Sequence, residues 1–213
     1  MATLTNYGQN KQIDSQLRGQ AFTPSTLAFG LILASRGYSN SIRSTAVSLN
    51  DTVIPATPNG RLYKCTTAGT TGSGEPTWST TNGGTTSDGT AVWTEQTTAM
   101  RAGTFTEVAN AGNYSRPTLN ASLTNWAGTQ GAGTTTASSG TSATSSNNST
   151  ITFGSGTPSA NWGVVFGIFC SDSATYGSGN ISWFYQLTTP KTVNNGDPQP
   201  SFPAGSLTYT VDS

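Results

Sequence analysis

This sequence predicts a mainly β protein: a β-sandwich-like host domain bearing an N-terminal helix, with a small β module inserted into it. Three observations carry that reading. Only 8% of the 213 residues are charged, against about 25% in an ordinary soluble chain, so the exterior must be built from Ser, Thr, Asn and Gly. β-Branched and aromatic residues recur in short runs that can pair and bury a face. The 25 Gly and 10 Pro fall largely between those runs, where turns need them.

Residues 1–20 predict one helix, with Leu4, Tyr7, Ile13 and Leu17 along its apolar face and Gly19 as its stop. In "LAFGLILAS", Leu27, Phe29, Leu31 and Leu33 alternate as in a strand with one buried face, while Ile32 indicates cover on the other side too. From about Val47 to Glu95 the texture changes to short strands ("TVIPA", "RLYKCTT", "TAVWTEQ") joined by Gly-rich turns. The change marks an insertion. A module of residues 46–98 interrupts a discontinuous host domain, residues 1–45 and 99–213, as exposed loop tips tolerate.

In the second part of the host, "TITFGSG", "NWGVVFGIFCSD", "GNISWFYQLTTPKTV" and "GSLTYTVDS" read as four strands, with "ATYGSGN" as a hairpin turn. The run from Gly163 to Cys170 is apolar on both faces, as in a central strand covered on both sides. Residues 129–150 are low-complexity and Thr/Ser-rich, fitting either a disordered linker or an extended arm on the surface. Trp162 is expected at the mouth of the central strand, packed under that arm. Trp183, Phe184 and Tyr185 follow one another, so at least one ring should meet a neighbouring subunit or element.

Nine Lys plus Arg balance nine Asp plus Glu without a basic run, which argues against phosphate-driven nucleic-acid binding. The apolar run "LAFGLILA" is far shorter than the roughly 20 residues of a spanning helix. The N-terminus lacks a charged region followed by an apolar one, so no signal peptide is expected and assembly belongs in the cytoplasm. Cys65 and Cys170 have no spacing pattern and are expected as buried or half-buried free thiols.

The absence of His removes the commonest general base, the Ser–His and Cys–His pairs and most zinc sites. Glu75, Asp88 and Glu95 gather in the module, and the expectation is solvated loop carboxylates, not a hydrolytic pair. Asp172, Asn194, Asn195 and Asp197 read as turn formers, not calcium ligands. No catalytic residue, metal or cofactor is expected. What remains is surface chemistry: rings set in a neutral, hydroxyl-rich exterior can stack on sugars while Asn, Thr and Ser hydrogen-bond to them. The candidate carbohydrate contacts are Trp78, Tyr63 and Trp93. Tyr63 and Trp93 lie on strands, where so small a module needs rings for its core. Trp78, following Pro76 in a loop, is the first candidate for a sugar contact.

The stretch "DTVIPATPNGRLYKCTTAGTTGSGEPTWSTTNGGTTSDGTAVWTE" resembles the small carbohydrate-binding-like modules, related to chitin-binding families V and XII, that recur in tailed-phage structural proteins. The features that match are the strand around Tyr63, the "TAGTTG" turn, Glu75 to Trp78, and the segment ending at Trp93. The host is similar to a tailed-phage virion protein family often labelled tail fibre or virion structural protein, through "TEVANAGNYSR", "LTNWAGTQGAGTT", "NNSTITF", "NWGVVFGIF" and "LTTPKTVNNGD". The resemblance implies a non-enzymatic structural protein on the virion surface, assembled in the host cytoplasm. Its implied partners are the major capsid protein or tail proteins, further copies of itself, most simply as a trimer, and host or environmental glycans. A fibre usually needs length from coiled coil, β-helix or repeats, which this chain lacks. The expectation is therefore a capsid-surface decoration or cement protein, with a tail-attached fibre or receptor-binding knob as the alternative.

Overall fold

The Gly163–Ser171 strand organises the molecule because its side chains are apolar on both faces and it has a partner on each edge. Ala28–Ala34 pairs with one edge and Ile181–Val193 with the other, both antiparallel, and Thr3–Leu4 adds a two-residue strand beyond Ile181–Val193 against Trp183 and Phe184. This computed structural model describes residues 3–129, 137–139 and 143–210. About 35% of the chain is strand and 10% helix, so the mainly β, sandwich-like expectation holds. The expectation for residues 129–150 falls partly outside the described residues. Within them, Thr144–Ser146 pairs antiparallel with Thr208–Thr210.

Strand parity sends alternate residues to opposite faces. Phe29, Leu31, Ile168 and Cys170 face one core, together with Trp183 and Tyr185, while Ile32, Ala34, Phe169 and Phe184 face another. A register shift between Val165 and Gly167 reverses the parity, as a bulge does. Val165 therefore joins the first core and Phe166 the second. The first core is closed by Tyr114, Phe153 and Trp162; the second by Leu62 and Met100. Trp162 packs edge-on to Tyr114 at 5.3 Å, with its indole N–H donated to the Gly112 carbonyl at 2.8 Å; its expected cover by the Thr-rich arm falls partly outside the described residues. Gly112 lies in a tight turn with φ of +61°, and that turn brings the carbonyl to the indole.

The second sheet has five strands in the order Arg36–Gly37, Thr52–Ile54, Tyr63–Thr67, Ala91–Glu95, Thr85–Asp88. Its first pairing is parallel and the others antiparallel. It has its own core, in which Tyr38, Ile42, Val47, Val53, Tyr63, Cys65 and Trp93 meet. Both cysteines are buried and free, and burial pushes the Cys170 thiol up to about 12, leaving little thiolate for reaction.

The N-terminal helix, Asn6–Leu17, is real, but its predicted face is not. Leu4 lies in the edge strand, and Ile13 and Leu17 are 50% and 80% exposed. Backbone contact sets the rotation. A Cβ on Gly8 would stand 2.0 Å from the Ser182 carbonyl oxygen, so the helix rests on the sheet at its glycine. Thr5 caps the helix by accepting from the Gly8 N–H at 3.1 Å, and its own hydroxyl donates to the carbonyls of Ile181 and Ser182.

One polar cluster ties the connection at residues 104–118 to the main sheet. Glu107 receives the Arg116 guanidinium through two bonds of 2.7 and 2.6 Å and the Tyr114 hydroxyl at 2.8 Å. The Tyr114 oxygen in turn accepts the Leu31 N–H at 3.0 Å. Arg116 also donates to the carbonyls of Ser173, Thr175 and Ser178, and its guanidinium lies 4.9 Å over the Phe169 ring. Both charged side chains are nearly sealed from water, at 3% and 9% exposure. Removing one partner of such a pair strands a charge, at a cost of about 3–5 kcal/mol. Arg116→Met is therefore expected to lower the urea midpoint by that much stability, and Glu107→Leu combined with Arg116→Met to lose less than the single change. Equal or greater loss in the double variant would show that the pair is not what holds this connection.

Candidate functional site

The three predicted ring residues converge on one face of the five-stranded sheet. Tyr63 sits opposite Val53 on one side and Glu95 on the other, and Trp93 opposite Cys65 and Thr86. Both rings are 0% exposed. Trp78 comes from the loop between Thr70 and Thr85 and lies across them, with ring centroids 4.5 Å from Tyr63 at a 38° tilt and 6.1 Å from Trp93 in an edge contact. Tyr38 closes the group, 5.5 Å from Trp78 and nearly perpendicular to it. Trp78 keeps part of its surface in solvent. A buried ring offers no face to a ligand, so Tyr63 and Trp93 form the base on which Trp78 is held.

Tyr38, at the end of the first strand of this sheet, was not legible as a member. It precedes the stretch read as the module and reaches the cluster because Arg36–Gly37 pairs parallel to Thr52–Ile54. Its hydroxyl donates to Asp88 at 3.2 Å, and the same carboxylate accepts the Trp93 indole N–H at 3.1 Å and the Gly72 N–H at 2.7 Å.

The carboxylates correct the sequence reading. Asp88 and Glu95 are 2% and 1% exposed, not solvated. Glu95 forms an ion pair with Arg61 at 3.0 Å and accepts the Gly83 and Thr97 N–H groups and the Thr97 hydroxyl. Glu75 accepts the Trp78 indole N–H at 2.8 Å and the Ala56 N–H at 2.9 Å. Each carboxylate thus gathers the donors of Gly-rich loops that have no ladder to satisfy them, a holding role. The chemistry this arrangement supports is presentation of a fixed, partly exposed indole. Glu75 fixes the N–H end of that indole, and Tyr63 and Tyr38 fix its ring.

The family model described as podophage GP4 fiber I protein gp80 matches residues 79–210 of the chain. The match takes in the Thr85–Asp88 and Ala91–Glu95 strands and continues through the Gly163–Ser171 and Ile181–Val193 strands, beginning one residue after Trp78. No curated protein matches the chain.

Burial, and then the Asp88 carboxylate beside it, push the Tyr38 hydroxyl up to about 12. The unfolded chain releases this proton near pH 10, so the folded state holds it longer. The sign follows from linkage: the contribution to stability is complete below about pH 10 and is lost as pH rises through about 12. Chemical-denaturation stability measured from pH 8 to 12 is expected to fall less steeply for Tyr38→Phe than for wild type. Identical slopes would mean that the hydroxyl carries no proton linkage.

Proposed function

The chain belongs to the podophage GP4 fiber I protein family and is a phage virion structural protein; on that premise we propose that it is a tail-attached fibre component whose smaller sheet presents Trp78 to host surface glycans. The observation that carries this reading is the match of residues 79–210 to a fibre family. Capsid decoration was preferred on compactness alone, and the match favours the fibre alternative over it. The proposed role is non-enzymatic, with the buried carboxylates spent on loops and the rings on packing.

Two features support a division of labour between host and module. The four-stranded sheet and the five-stranded sheet each have a core of their own, joined by a third in which Ile54 and Leu62 meet Ile32, Phe169 and Phe184. The chain crosses between them near Arg36 and again through the short Thr97–Arg101 helix. In the proposed arrangement residues 1–45 and 99–213 dock on other virion proteins and on further copies of the chain, and residues 46–98 are displayed. Trp78 is the sugar contact because its ring is immobilised by Tyr63, Tyr38 and Glu75 before any ligand arrives, which lowers the ordering cost of binding.

Gold-labelled antibody against residues 60–95, imaged on intact particles, should mark the tail; label scattered over the head would return the protein to decoration. In solution, chitooligosaccharide titration should give a saturable change in tryptophan fluorescence that Trp78→Ala abolishes and Trp78→Phe weakens by about tenfold. The absence of any saturable change in wild type would remove Trp78 as a glycan platform and leave the fibre assignment standing on the particle images.

A further inference from the structure

A second aromatic surface lies on the four-stranded sheet, beneath the N-terminal helix and away from Trp78. Phe29 and Trp183, on strands of that sheet, stand 6.0 Å apart; Trp126 extends the row at 5.9 Å from Phe29, and Tyr209 continues it at 5.7 Å from Trp183. Phe29 is sealed, whereas Trp126, Trp183 and Tyr209 each retain accessible surface. These rings line a cleft of about 440 Å³, inside the roughly 300–1,000 Å³ of small-ligand sites.

The roof is chemically unusual for a helix on a sheet. A surface helix ordinarily turns its apolar stripe inward. Here the residues at the cleft are Lys11, Gln12, Ser15 and Gln16, spaced as one helical face after Gly8, while Ile13 and Leu17 point to solvent. The contact at Gly8 and the Thr5 cap hold this rotation. Among the described residues, the side-chain amides of Gln12 and Gln16 take no hydrogen bond from the protein. Ser122 and Ser145 add hydroxyls at the opposite side, and Lys11 is the one charged residue among the lining groups.

Flat aromatic faces below and uncommitted glutamine amides above suit a ligand with apolar ring faces and equatorial hydroxyls; the Ser145 hydroxyl already donates to the Ala127 carbonyl and the Ser122 oxygen already accepts the Asn125 N–H. A lining without carboxylates and with a single amine gives no countercharge for a cation and little for a polyanion. We propose that this cleft is a saccharide site, distinct from Trp78, that takes a neutral pyranose unit of a surface polysaccharide, stacked on Trp126 and Trp183 and hydrogen-bonded by Gln12 and Gln16.

Five tryptophans give five indole N–H signals, so proton–nitrogen correlation spectra of the full chain report each site separately. Maltotetraose and chitotetraose, titrated into the millimolar range, are the probes. Saturable movement of the Trp126 and Trp183 signals is expected with at least one of them. Gln12→Ala with Gln16→Ala, both on the half-exposed helix face, should weaken that binding by about tenfold or more, and Trp78→Ala should leave it unchanged. Static Trp126 and Trp183 signals with both sugars, or an affinity that the glutamine changes do not move, would overturn the proposal. Movement of the Trp78 signal alone would overturn it while supporting the platform on the smaller sheet.

Discussion

A carboxylate taken out of water must be met by enough donors, and in this chain meeting that requirement at Glu107 joins distant segments around the four-stranded sheet. The donors come from Tyr114 and Arg116. Through them the connection at residues 104–118 is joined to the backbone of the Ala28–Ala34 strand at Leu31 and to the hairpin turn at Ser173–Ser178. The cluster also dictates side-chain size nearby. A Cβ on Gly30 would fall 2.1 Å from the Phe169 ring and 2.9 Å from the Glu107 carboxylate, so the strand needs a glycine where ring, guanidinium and carboxylate stack. Burial, reinforced by Glu107, drives the Tyr114 hydroxyl strongly upward, keeping it a neutral donor and acceptor in that network.

The smaller sheet solves a related problem with less apolar mass. Its loops are rich in Gly and Thr and cannot satisfy their own backbone donors, so Glu75, Asp88 and Glu95 collect them. Two of the same carboxylates hold the tryptophan N–H groups, Glu75 that of Trp78 and Asp88 that of Trp93. Loop order and ring placement are therefore coupled. A protein with so few charges uses several of them inside, where each contributes most, and leaves hydroxyls such as the Thr66–Thr94 pair to face solvent.

Much of this fold was legible because strand parity is a local property. The two-sided apolar run from Gly163 to Cys170 declared a central strand, and the alternation from Leu27 to Leu33 declared another, whose place beside it came only with the fold. The bulge at Val165–Gly167 was not legible, since it depends on which partner residues oppose it. Helix rotation escaped for a similar reason. Apolar spacing pointed to Ile13 and Leu17, whereas a single close backbone approach at Gly8 decided which face meets the sheet. At the aromatic cluster, Trp78, Tyr63 and Trp93 were readable from their short separations. Tyr38 and the burial of Asp88 and Glu95 required knowing which distant residues return to the sheet.

The unequal lengths at one margin of the main sheet have a further consequence. Ile181–Val193 runs for 13 residues, but Thr3–Leu4 covers only Trp183 and Phe184 on its outer side. Among the described residues, the remainder of that margin has no ladder partner. An open margin of this kind is a template for unlimited strand addition. Here it carries Pro190, which has no N–H to offer, followed by Lys191, whose charge resists alignment with an identical neighbour. A strand brought alongside that stretch would meet a missing donor and then a charge, so the margin is poorly suited to extending the ladder.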